Sequence, residues 1–351
     1  MYGPIAMTPL LPPLAHCNID RSRPPTIGEL LLARSRHTPE GVAMAEVSVG
    51  GLPARVWTYA ELRDDVVRLA LALLSRFQPG ERIAISAPNS PEWVQLQLAA
   101  AFAGLALTAL DPAIPRRDLA QALKQCRAVA LFVAGAAGDS ARCRIAAQVT
   151  SETPRLREIV DLQDRRALYG KQRCVDGLPE VLPDDLAFGW MAAAPGCAPK
   201  AVLITHRAMT DHAYATVLDR AASVGGPLLH GAPMFASGMS GSFALGAIAA
   251  GCRLILPSSA TPDRLLEIAA EEGAEIILTT SDATSGLIRA QTAQPRDLVA
   301  LRTVVTLDSG AADGPAMRVI TAAPLLDGNA SCMNSEFLVA PRHATALDVA
   351  A

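Results

Sequence analysis

A chain of 351 residues that is half apolar and 19% charged excludes disorder as its main state and has length for about two domains at roughly 150 residues each. Lysine and arginine number 31 against 34 acidic side chains, a formal charge of −3, so no bulk field draws the protein to nucleic acid or anionic lipid. The seven cysteines, Cys17, Cys126, Cys143, Cys174, Cys197, Cys252 and Cys332, are odd in number, scattered and without a C-x-x-C pair, so they read as small buried residues of a reducing, cytoplasmic compartment.

Residues 1–25 form an irregular lead: MYGPIAMTPLLPPLAHC has no basic start and four prolines break its apolar run, which fits neither a signal peptide nor a membrane anchor. A short helix is expected over 27–36. At Thr58-Tyr59-Ala60-Glu61 stands a capping box. The Thr58 hydroxyl can accept from the Glu61 N–H while the Glu61 carboxylate reaches back, and Leu62, Val66, Leu69 and Leu73 follow at helical spacing. That helix is expected to reach about Phe77, before Pro79-Gly80. Residues 82–87 read as a strand, and Ser90-Pro91 as N-cap and first position of a helix stopped at Gly104. Strand, helix and strand continue over 105–110, 115–126 and 128–133, the alternation of a parallel sheet covered on both faces. The longest apolar stretch, 96–110, contains Gln97, Gly104 and Thr108 and falls short of the roughly 20 residues a membrane span requires.

Residues 134–182 are less regular, with one strand candidate at 158–161, and are expected to hold a subdomain seam. Strands at 186–191 and 201–205 then flank a loop of Ala, Pro and Gly, and a helix begins at His206. A strand at 228–229 and a helix over about 240–250 precede strands at 253–256, 275–279 and 303–307, with helices starting at Thr261-Pro262 and near Ser281. The expected class is α/β, with two parallel-sheet halves in one domain over 26–337. The pattern frays beyond Asp327 and leaves a tail at 338–351.

Residues 184–209, DDLAFGWMAAAPGCAPKAVLITHRAM, join strand, small-residue loop, Pro-Lys, strand and Thr-His in a fixed order. This segment resembles the AMP-binding superfamily of acyl-CoA synthetases, adenylation domains and luciferases, whose phosphate loop reads Y-T-S-G-T-T-G-x-P-K-G-V followed by T-H. The loop positions fall on 191–202, and Pro199, Lys200, Val202, Thr205 and His206 match. W-T-Y-A-E-L at 57–62, G-E-R-I-A-I-S-A-P-N-S-P-E-W at 80–93 and the segments at 103–105 and 111–132 are similar to the N-terminal half of fatty-acid-CoA ligases. Pro233-Met234-Phe235-Ala236-Ser237-Gly238 resembles the family's acyl-site motif P-L/M-F-H-x-x-G. Leu301-Arg302 through Ser309-Gly310-Ala311-Ala312 resembles L-R-x-x-x-S-G-G/A-A-P, and Cys332-Met333-Asn334-Ser335-Glu336 stands where Y-G-x-T-E would be.

The resemblance implies the ANL-type N-terminal domain of that superfamily, without its mobile C-terminal domain. It implies a lineage reaction in which a fatty or aryl carboxylate and ATP give an acyl-adenylate and then a CoA thioester, with Mg²⁺ as the metal. By resemblance the nucleotide site takes Gly196, Pro199, Lys200, Thr205, His206, Gly310, Ala311, Ala312, Ser335 and Glu336, with Glu336 on Mg²⁺, and the acyl pocket takes Met234, Phe235, Ala236, Gly238 and Met239. The chain departs from the pattern where phosphate would be held. Ala192, Ala193 and Ala194 replace Thr-Ser-Gly, and Pro195 removes an N–H and fixes φ at about −65°. Ala236 stands in place of a histidine, and Cys332-Met333 in place of Tyr-Gly. Three or four charge-assisted hydrogen bonds, each worth roughly 1.5–3 kcal/mol, are absent from such a loop. The expectation is a truncated, catalytically impaired acyl-CoA synthetase relative. Its alternative is a pseudoenzyme that binds acyl groups or regulates a partner synthetase, and a homodimer or a C-terminal domain in trans would complete either.

Residue chemistry alone reads more plainly. Lys200 is a solvated lysine at a strand edge, Thr205 an N-cap, and His206 a first-turn histidine at the surface or locally hydrogen-bonded. Glu336 is a solvated carboxylate near a frayed end, and His230 sits at a strand end. Met234, Phe235 and Met239 serve a core as readily as an acyl tunnel, and Cys197 has no His or Asp beside it in sequence to make it reactive.

Overall fold

The computed structural model describes residues 24–48, 53–134, 147–169, 177–192, 200–215, 226–236, 238–308, 316–321 and 335–338. Several helices begin at capping hydroxyls. α1 (Ile27–His37) opens on Thr26 and α2 (Tyr59–Leu74) on Thr58, each in a reciprocal box with Glu29 or Glu61. In the second box Thr58 N donates to Glu61 Oε2 at 2.9 Å and Glu61 N to Thr58 Oγ1 at 3.2 Å. α2 ends at Leu74, short of Phe77, although Phe77 N still donates to Leu73 O at 2.8 Å. α3 (Pro91–Phe102) is capped by Ser90, whose hydroxyl accepts from Trp93 N at 3.2 Å. The later helices are α4 (Arg116–Cys126), α5 (Arg165–Tyr169), α6 (His206–Ala213), α7 (Gly238–Ala250), α8 (Pro262–Glu272) and α9 (Ser281–Ala293).

The strands fall into two sheets. The first takes β3 (Arg82–Ser86), β4 (Ala106–Ala109), β5 (Ala130–Val133), β6 (Glu158–Asp161), β7 (Leu186–Ala192) and β8 (Lys200–Thr205), in the order β6-β5-β3-β4-β7-β8. The second takes β1 (Val42–Val47), β2 (Pro53–Thr58), β9 (Leu228–His230), β10 (Leu254–Pro257), β11 (Ile276–Thr280), β12 (Thr303–Asp308), β13 (Ala316–Thr321) and β14 (Ser335–Leu338). Its order is β14-β13-β12-β11-β9-β10-β1-β2.

Both sheets are parallel through their centres, with an antiparallel pair at one margin of the first sheet and at both margins of the second, which refines the expected parallel halves. β8 pairs antiparallel with β7, because the seven residues between them are too few for a crossover. β2 returns antiparallel on β1, and β13 and β14 do the same beyond β12. Periodicity alone did not point to β1, β2, β13 or β14, and β14 lies where fraying was expected. Within the irregular stretch 134–182 the strand expected at 158–161 is β6, which pairs parallel with β5.

α3 explains how the sheets share a core. Every residue of it except Glu92 is buried, and it contacts both β4 of one sheet and β1 of the other. α7, GMSGSFALGAIAA, is apolar on all sides and contacts β7 and β10. One continuous cluster therefore unites Ile83, Leu107 and Phe188 of the first sheet with Leu228, Leu254 and Leu278 of the second. Among the described residues no helix is long and apolar enough to cross a membrane.

Candidate functional site

Lys200 is the first residue of β8, paired across the hairpin with Ala192. Its side chain is exposed, in agreement with a solvated lysine at a sheet edge. The loop 193–199, with Gly196, Cys197 and Pro199, lies outside the described residues, as do Gly310, Ala311 and Ala312. Thr205 caps α6, its hydroxyl accepting from Ala208 N at 3.2 Å.

His206 departs from the surface reading, for it is fully buried. Its Nδ1 accepts from the backbone N–H of Ile27 at 3.4 Å, so the imidazole satisfies one of the open donors at the start of α1. With Nδ1 accepting, the proton sits on Nε2, which has no partner. Burial, opposed weakly by Asp185, lowers its pKa from 6.5 to about 4. The side chain is a neutral core group that docks α1.

The loop resembling the acyl-site motif is held firmly. Asn89 Nδ2 donates to Ala232 O at 2.7 Å and Met234 N donates to Asn89 Oδ1 at 2.8 Å, tying the loop to the turn that opens α3. Met234 is buried, whereas Phe235 and Ala236 are half-buried; Gly238 begins α7, and nothing further is described of the Gly238 and Met239 side chains. His230, at the end of β9 and fully buried, donates from Nε2 to Ser240 O at 3.0 Å. Its pKa is lowered, first by burial and against backbone hydrogen bonds that favour its charge. His212 on α6 bonds through Nδ1 to Ser242 Oγ, and burial lowers its pKa to about 4.

The far end of α7 is held by charge. Arg34, 8% exposed, donates to Ala249 O from Nε at 3.2 Å and from Nη2 at 2.7 Å, and the Tyr59 hydroxyl lies 3.1 Å from both Ile248 O and Cys252 O. A cation on the last carbonyls of a helix complements its dipole. α7 is thus fixed at both ends, with the acyl-motif loop leading into it. The sequence gives no sign of either role: Asn89 precedes a helix start and Arg34 lies within the helix expected over 27–36.

Ser335 and Glu336 stand on β14, opposite Ile320 and Val319 of β13. Lys200 and Glu336 therefore belong to outer strands of different sheets. Among the described residues no group of three or more His, Cys, Asp or Glu is placed to hold a metal ion.

The model of the family described as AMP-binding enzyme matches residues 32–323. The chain is 35% identical over 107 residues to a protein of Macaca fascicularis named medium-chain acyl-CoA ligase ACSF2, mitochondrial, which covers 30% of this chain and 17% of that one. It is 28% identical over 182 residues to nonribosomal peptide synthetase 8 of Aspergillus fumigatus, 52% of this chain and 2% of that protein. The matches thus span less than two thirds of the length of these curated relatives. Among solved structures, VinN in complex with L-aspartate is similar with a TM-score of 0.70 at 18% identity, over 86% of this chain and 79% of that one. The inhibitor-bound N-terminal domain of FACL13 from Mycobacterium tuberculosis gives 0.67 at 19% identity, over 80% and 69%. At such identities the likeness speaks for the fold.

Proposed function

The chain belongs to the AMP-binding enzyme family, and from that premise we propose that it binds a carboxylic acid in the lineage manner of acyl-CoA synthetases while gripping ATP weakly. The carrying observation is the join between β7 and β8. The hydroxyl-bearing stretch of the family's loop is Ala192-Ala193-Ala194-Pro195 here, and Lys200 is the exposed cation that follows it. A lone ammonium on a flexible stem attracts phosphate without fixing its geometry. The Thr205 hydroxyl is engaged in capping α6, and His206 is sealed in the core, so neither adds to the grip. The residue types along this loop therefore fit Mg·ATP poorly.

A second reading, an acyl-binding protein that does not catalyse, is favoured by the contrast between the two half-sites. The acyl-motif loop is pinned by the paired Asn89 hydrogen bonds, whereas the phosphate-side sequence has lost its hydroxyls. A fatty or aryl acid is the ligand class in either reading, with CoA as the lineage co-substrate and a partner synthetase or a C-terminal domain in trans as the completing element.

Calorimetric titration tests the weak grip on ATP that both readings share. Mg·ATP and a non-hydrolysable acyl-adenylate analogue are titrated separately into the native chain and Lys200→Ala. Millimolar or weaker ATP binding with clear binding of the acyl moiety is expected. Micromolar ATP binding that Lys200→Ala abolishes would refute the weak-grip reading and indicate a loop that holds phosphate through its backbone.

A further inference from the structure

Gln97 on α3 is a buried amide without a hydrogen bond among the described residues. It is 2% exposed, and neither its nitrogen nor its oxygen has a partner; one turn earlier, the indole N–H of the fully buried Trp93 is likewise unpartnered. Trp93 packs against Phe188, and Gln97 and Phe188 both face Gly241 of α7. The Trp93 and Phe188 rings lie 6.1 Å apart, and a Cβ added to Gly241 would meet Gln97 Nε2 at 3.1 Å and Phe188 Cζ at 3.3 Å. The bare backbone of the first turns of α7 therefore rests on this amide. Four residues before Trp93, Asn89 ties residues 232 and 234 to the same end of α3. The unpaired amide of Gln97 thus faces the first turns of α7, which follow directly on the acyl-motif loop.

An amide is out of place in a sealed apolar core, because each unmade hydrogen bond is unfavourable and a leucine of similar size would avoid the loss. It is in place where a guest brings the missing partner. We propose that Gln97, seconded by the Trp93 N–H, selects acids whose acyl group carries a hydroxyl or carbonyl towards its distal end over plain alkyl acids of the same length. The proposal rests on the reading that the chain binds a carboxylic acid, and it names the class of that acid. A hydroxyl both donates and accepts, which matches an amide that offers one of each, while the indole can only donate. A site built in this way discriminates against the analogue lacking the polar group far more strongly than an apolar pocket discriminates by one methylene.

The test is calorimetric titration of the full chain with hexanoate, octanoate and their ω-hydroxy counterparts, with Gln97→Leu alongside and Gln97→Met as a second variant should the first not fold. The hydroxy acids are expected to bind about tenfold tighter or better, and the ratio to collapse to about twofold or less in the variant. The ligand-free variant is also expected to show a raised Tm, since two unpaired polar atoms are gone. Equal binding of hydroxy and alkyl acids overturns the selectivity and leaves acid binding standing, as an amide satisfied by water alone would produce. Binding of none of the four overturns both. A retained ratio with a Tm several degrees lower would place the Gln97 hydrogen bonds within the protein and overturn the assignment.

Discussion

Replacing His206 by leucine is expected to make the protein weaker at neutral pH and stronger in mild acid. At pH 7 the substitution removes the Nδ1 acceptor of the Ile27 N–H, a single hydrogen bond worth about 1 kcal/mol. The acid side is larger. The unfolded imidazole takes its proton near 6.5 and the buried one only at about 4, so between those values the unfolded chain binds more protons and every fall in pH favours it. The stability is complete above 6.5 and has been lost once the pH passes below 4. At 1.36 kcal/mol per pH unit the loss reaches roughly 2 kcal/mol by pH 5 and about 3 by pH 4. Carboxylates titrate in both proteins and cancel in the comparison. Urea unfolding followed by the fluorescence of Trp57, Trp93 and Trp190 at pH 7, 6, 5 and 4.5 should therefore give stability curves that cross between pH 5 and 6. Parallel curves would refute the claim that His206 is buried and neutral.

Three further substitutions probe how α7 is held. Arg34→Met keeps a long apolar stem but removes two donors from Ala249 O, and should cost about 2–3 kcal/mol in urea unfolding. Gly251→Ala meets a backbone of φ +80° and puts a Cβ 2.9 Å from Arg34 Cζ, so it should cost about 1–3 kcal/mol, and less in the Arg34→Met background. An unchanged cost in the double variant would refute the steric half of that account. Asn89→Ala leaves Ala232 O and Met234 N without their side-chain partner. It should lower stability by about 2 kcal/mol and weaken acid binding in the titrations above, whereas weakened stability with unchanged affinity would detach this loop from the ligand.

What could be read from the sequence was what short-range chemistry decides. Thr58 with Glu61, Ser90 with Pro91, and Thr205 before His206 start helices where they stand, because a hydroxyl within three residues of an open N–H needs no tertiary context. Buried central strands such as β3 and β5 announced themselves as apolar runs. Strands whose partners are distant in sequence did not. β1 finds β10 more than two hundred residues away, and no local period reports such pairing. At the site the same division holds: the Thr205 cap was legible, whereas the burial of His206 depends on α1, which arrives from the opposite end of the chain. Asn89 and Arg34 are polar residues whose partners are backbone carbonyls and amides far along the chain, and a residue type alone does not name a distant carbonyl.

The two half-sites therefore rest on different kinds of support. The acyl side depends on buried elements, α3 and α7, clasped between two sheets and tied by hydrogen bonds from Asn89, His230 and Arg34. Changing any of these disturbs the shared core, so the geometry is coupled to the stability of the whole. The proposed phosphate side adjoins the outermost hairpin of the six-stranded sheet, β7 and β8, where Lys200 is solvated and Val202 and Ala201 are only half-buried. On the reading proposed above, an acid site can outlast a nucleotide site on the same scaffold, because a loop carries binding groups that the core does not require.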